Sequence, residues 1–115
     1  MDNGNIQDKS FCFAIRIVKL CKMLRMDRKE YVLSNQLLRS GTSVGANIAE
    51  AQHAQSRADF LSKLSIALKE TTETKYWLRL LEATEYLTKS EFQSIIDDCI
   101  ELEKILVTSV KSVKQ

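Results

Sequence analysis

Proline is absent from the 115 residues, and there are only three glycines, one histidine and one tryptophan. Without proline the usual helix breaker is missing, so long uninterrupted helices are expected. A single histidine, His53, leaves a zinc or other metal site without the paired ligands it needs, and no cofactor is expected. Aromatic residues make up 7% of the chain. Tyr31, Tyr76, Trp77 and Tyr86 are too scattered to form a platform for stacked bases and suit places in or beside a core. No run is long and apolar enough to cross a membrane. The start, Met1-Asp2-Asn3-Gly4-Asn5, lacks the basic and apolar regions of a signal peptide, which implies a cytoplasmic protein. Cys12, Cys21 and Cys99 are odd in number, widely spaced and set among apolar positions, so they are expected to be reduced thiols serving as small apolar side chains.

What remains is 44% hydrophobic and 28% charged. A chain of this size buries roughly two-thirds of the surface its unfolded form exposes, enough for one core without disulfides or metal. Periodicity and capping signals divide residues 1–115, a single domain, into four helices. The first spans about 8–26, opened by Asp8, with Phe13, Ile17, Leu20 and Leu24 on one face and Ala14, Val18 and Cys21 beside it. The second spans about 28–53 and starts at the capping box Asp27-Arg28-Lys29-Glu30. The third spans about 57–85 behind Ser56, with Phe60, Leu64, Ala67, Thr71, Thr74, Leu78 and Leu81 stepping by four and three as a bundle seam. The fourth spans about 89–113 behind Thr88-Lys89-Ser90-Glu91, with Phe92, Ile95, Cys99, Leu102, Leu106 and Val113 inward. Loops this short make neighbouring helices antiparallel, giving an all-α, up-and-down four-helix bundle about 30 to 45 Å long.

The second helix carries the most distinctive residues. Leu33, Leu37, Gly41, Val44, Ile48 and Ala51 follow one seam, while Gly41, Gly45 and Ala49 step by four along an adjoining ridge. A glycine inside a helix costs about 1 kcal/mol relative to alanine, so two of them imply a compensating close approach of another helix. A phosphate-cradling glycine loop is excluded, because no strand precedes them and neither phosphate-loop order is present. Residues 37–51, Leu-Leu-Arg-Ser-Gly-Thr-Ser-Val-Gly-Ala-Asn-Ile-Ala-Glu-Ala, resemble the signature of the small bacterial four-helix-bundle family of 23S rRNA intervening-sequence proteins. The resemblance extends to Asp8-Lys9-Ser10-Phe11, to Lys29-Glu30-Tyr31-Val32-Leu33 and to residues 59–70, covering about 6–113. It implies a four-helix bundle in a ring-shaped homopentamer. Relatives in diversity-generating retroelements imply a reverse transcriptase as protein partner and binding of nucleic acid. The signature residues Gly41, Gly45, Ala49, Asn47 and Glu50 are packing residues on this view, not a catalytic set.

Wide apolar stripes on the last two helices also suggest assembly. Ile96, Ile100, Val107 and Val110 lie alongside one seam, and Leu61, Ile66 and Leu68 alongside the other, either as ordinary bundle core or as a subunit contact. The net charge of +2 conceals an asymmetry: residues 1–58 carry +4 and residues 59–115 carry −2. Arg16, Lys19, Lys22, Arg25, Arg28 and Lys29, with Arg39 further on, form a basic surface on the polar side of the first helix. Such a surface suits RNA or DNA phosphates, or simply a solvated face that keeps the protein soluble.

Catalysis finds little support. Glu50-Ala51-Gln52-His53 has the Glu-x-x-His form of a di-iron ligand pair, but a second pair is impossible with one histidine. No local motif supplies a nucleophile for His53. Glu50 and Asn47 are better placed to satisfy backbone groups or a subunit contact. The sequence therefore points to a non-enzymatic interaction or scaffold protein, a homo-oligomer with nucleic acid as partner; the alternative is a protein assembly module that binds no nucleic acid.

Overall fold

A computed structural model describes residues 5–115; residues 1–4, on which the signal-peptide argument rests, lie outside them. Asn5 accepts the amide of Asp8 at 2.9 Å and so opens α1, Ile6–Arg28. Asp8 is thus an acid in the first turn, where the helix dipole favours it, and not the cap expected of it. α1 also runs two residues further than expected. Lys29 takes a left-handed conformation (φ 57°), and the amide of Glu30 closes the end on the Leu24 carbonyl at 3.0 Å.

This ending corrects the expected start of the second helix. Asp27 and Arg28 belong to α1, and α2 is Leu33–Ala51. Its opening is capped by Glu30, whose carboxylate accepts the amides of Val32, Leu33 and Ser34 at 3.2, 2.9 and 2.6 Å. The Ser34 hydroxyl donates back to the Glu30 carbonyl at 2.9 Å. α3, Arg57–Ala83, begins at Ser56, which accepts the Asp59 amide at 3.0 Å, and stops two residues short of expectation before Glu85 (φ 68°). α4, Lys89–Lys114, has both halves of the expected capping box between Thr88 and Glu91. The described residues contain four helices and no strand, and measure 44 × 23 × 21 Å.

α2 packs on α1 and α3, and α3 on α4, while α1 and α4 meet along the thinnest seam. Every expected seam residue of α3 from Leu64 to Leu81 is buried, whereas Phe60 is only half-buried. In α2, Leu37, Gly41, Val44, Ile48 and Ala51 are buried and Leu33 is half-buried. α1 turns slightly from expectation: Cys21 joins Phe13, Ile17 and Leu24 inside, Leu20 is half-buried, and Val18 faces out. In α4, Ile96 and Val110 belong to the core, whereas Phe92 and Val113 are half-buried. The buried serine and threonine hydroxyls find partners; Thr74, for example, lies 2.9 Å from the Ser40 hydroxyl and 2.8 Å from the Glu70 carbonyl. Burial pushes the thiols of Cys21 and Cys99 up to about 11 and about 12, so both stay protonated and inert.

Candidate interaction surface

The glycine ridge divides into two functions. A Cβ on Gly41 would stand 2.8 Å from Ile17 Cγ2, so this glycine lets α1 and α2 close. A Cβ on Gly45 would meet Ser10 of α1, its carbonyl oxygen at 3.3 Å and its hydroxyl at 3.5 Å. Gly45 thus stands at the edge of the α1–α2 contact, while Ala46 and Ala49 beside it are exposed. With Thr42 and Ala14 they line a shallow trough on the outside of the α1–α2 pair, walled by Phe11.

Phe11 is 67% exposed, and Ile15 and Val18 are exposed with it. Positions 11, 15 and 18 step by four and three, so they form a second apolar stripe on α1, turned away from the core. The expected polar side of α1 is thus interrupted by an apolar stripe over its first half. A heptad count of α1 reveals this stripe from sequence alone.

The expected basic surface is correspondingly smaller. Arg16 lies across the α1–α4 seam, donating to Asp98 at 2.6 Å and to the Ser94 carbonyl at 2.9 Å. Arg28 forms a two-pronged pair with Glu91 and also donates to the Tyr86 carbonyl. Arg39 is held between Glu70 and Glu73 of α3, and Glu73 also accepts from Trp77 Nε1 at 3.0 Å. Those bonds, from Trp77 first and Arg39 second, pull the Glu73 carboxyl below its usual range. Lys29 donates to the Met26 carbonyl at 2.9 Å. Lys19, Lys22 and Arg25 are exposed and have no ion-pair partner among the described residues. Three of the seven expected contact residues are thus neutralised by acids of α3 and α4. The free cations continue the Phe11 stripe toward the C-terminal half of α1.

A second concavity lies on the other side of the molecule, between α3 and α4. It is a groove of about 650 Å³ with Leu80, Phe92, Ile96 and Ile100 in its lining. Tyr76 stands on its rim, 57% exposed, with its ring 5.1 Å from that of Trp77 in an edge-to-face contact. Of the four aromatics expected in or beside the core, Trp77 is half-buried against it, while Tyr31, Tyr76 and Tyr86 are exposed.

The remaining signature residues have local roles. Asn47 donates to the Ser43 carbonyl at 2.8 Å, and Glu50 pairs with Lys63 of α3 at 3.0 Å. Glu50 and His53 border an open hollow at the α2–α3 turn, so the Glu-x-x-His sequence does not face the bundle interior. Among the described residues, no group of three or more His, Cys, Asp or Glu is placed to hold a metal ion, and no helix is long and apolar enough to cross a membrane.

Comparison with known proteins adds two findings. Residues 2–108 match the family model of the 23S rRNA-intervening sequence protein. A solved structure of a protein of unknown function from the S23 ribosomal protein family of Bacteroides thetaiotaomicron is similar at 56% identity and a TM-score of 0.92, covering 93% of this chain and 99% of that one. No curated protein matches.

Proposed function

The chain belongs to the 23S rRNA-intervening sequence protein family, and from that premise we propose that it is a non-enzymatic cytoplasmic scaffold that assembles with copies of itself through the outer face of α1. The observation that carries this reading is the exposed stripe of Phe11, Ile15 and Val18 beside the small-residue trough of α2. A large exposed phenylalanine continuous with an apolar trough marks a contact surface more than a solvated face. A homopentamer is the form implied by the family resemblance.

Light scattering at micromolar concentration tests the assembly. The expected mass is well above the 13.2 kDa of one chain. Phe11→Glu with Ile15→Glu should return it to the monomer with helical circular dichroism intact. A wild-type monomer overturns the reading.

A second reading is favoured by the free cations Lys19, Lys22 and Arg25. Repeated around an oligomer, they would contact nucleic-acid phosphates, with Lys29 at their edge. Arg16 is unsuited to testing this, since reversing it also breaks the Asp98 pair. Lys19→Glu, Lys22→Glu and Arg25→Glu together should abolish retention of mixed single-stranded RNA at low salt. Wild-type retention should fall steeply between about 50 and 200 mM salt. Without wild-type retention at low salt, a protein partner takes the place of nucleic acid.

A further inference from the structure

The molecule has two unlike apolar surfaces, a ridge on α1 and a groove between α3 and α4, and we infer that in the assembly the ridge of one copy seats in the groove of the next. The inference deepens the scaffold reading and rests on it.

Register supports a second copy as the occupant. α1 and α4 run antiparallel, and their cross-links mark equal heights along the bundle: Lys9 with Glu101, Arg16 with Asp98 and Ser94, Arg28 with Glu91. Phe11, Ile15 and Val18 consequently stand at the heights of Ile100 and Ile96, the apolar floor of the groove. Lys22 and Arg25 stand toward the height of Phe92, at the end of the groove where Glu82 lies. In a closed ring whose axis runs along the bundle, copies sit at one height. Ridge then meets floor, and the free cations meet an acid.

Charge agrees with this. On the groove rim Lys75 is bound to Glu103 at 2.8 Å, and Asp97 accepts from Gln93. Glu82 and Asp97 against Arg79 leave the rim net negative, facing a ridge flanked by Lys19, Lys22 and Arg25. The alternative, ridge against ridge about a two-fold axis across α1, would set Lys22 and Arg25 against Phe11 and Asp8 and leave the groove of each copy unfilled.

A mixing experiment separates these arrangements. One variant carries Phe11→Glu with Ile15→Glu and has a broken ridge. The other carries Tyr76→Glu with Ala83→Glu, at exposed positions, and has a broken groove. Circular dichroism checks that both fold. Each alone should be monomeric, and an equimolar mixture should give a species of about twice the 13.2 kDa chain mass, because one intact ridge then meets one intact groove. A groove variant that keeps the wild-type mass overturns the inference and leaves the scaffold reading standing, as does a mixture that stays monomeric. A wild-type monomer overturns both.

Discussion

Arg28 and Glu91 are joined by two parallel hydrogen bonds of 2.7 Å each, which fasten the last turn of α1 to the first turn of α4. The same Glu91 oxygen that meets Arg28 Nη1 accepts the Thr88 amide at 2.9 Å, so one carboxylate caps a helix and links two helix ends. The residues are 63 positions apart in sequence.

That carboxylate should make stability depend on acid. Arg28 first, with the Thr88 amide, lowers Glu91 from 4.5 to about 2. Its folded value is depressed, so its contribution is complete above about pH 4.5 and is lost as pH falls toward 2. Thermal unfolding of wild type and Glu91→Gln across this window checks it. The wild type should be the more stable at neutral pH, with the two melting temperatures converging as pH approaches 2.

The two glycines of α2 should respond differently to a methyl group. Gly41→Ala drives a Cβ to 2.8 Å from the β-branched, fully buried Ile17, and should cost about 1 to 3 kcal/mol. Gly45→Ala meets one carbonyl at 3.3 Å, while the gain in helix propensity of about 1 kcal/mol opposes that contact, so it should be nearly neutral. Urea unfolding of both variants gives the difference.

Lys29 and Glu85 each end a helix region in the left-handed conformation. Glycine adopts this conformation without the Cβ penalty, so Lys29→Gly and Glu85→Gly should each raise stability by about 0.5 to 1 kcal/mol, measurable as a higher urea midpoint.

The buried Thr74–Ser40 contact should behave as a coupled pair. Thr74→Val removes the hydroxyl at nearly constant shape and should cost about 1 to 2 kcal/mol. Combined with Ser40→Ala, it should cost less than the sum of the single changes, which a double-mutant cycle reads directly.

The α3 seam was legible because its apolar and small polar residues keep alternating steps of four and three from Leu64 to Leu81. The second helix start was misread because Asp27-Arg28-Lys29-Glu30 has the spacing of a capping box. Its last member instead caps forward, onto Val32, Leu33 and Ser34. The basic surface was overdrawn for a geometric reason. Residues three apart fall back about 60° per step on a helix, so Arg16, Lys19, Lys22 and Arg25 span about half its circumference. Arg16 therefore reaches α4, and the arc between Arg16 and Arg25 includes the side where Phe11 and Ile15 stand. The partners of Arg16, Arg28 and Arg39 were illegible, being 31 to 82 positions distant.

The thin α1–α4 seam gives the bundle a weak edge. Lys9–Glu101, Arg16–Asp98 and Arg28–Glu91 bridge it, all at least partly open to solvent, whereas α2 and α3 pack broadly. Exposed pairs contribute little each and are screened by salt. Partial opening should therefore begin there, with the α1–α2 and α3–α4 hairpins swinging apart like two covers about the α2–α3 spine. Amide exchange at the facing turns of α1 and α4 would then quicken with ionic strength while the spine stays protected.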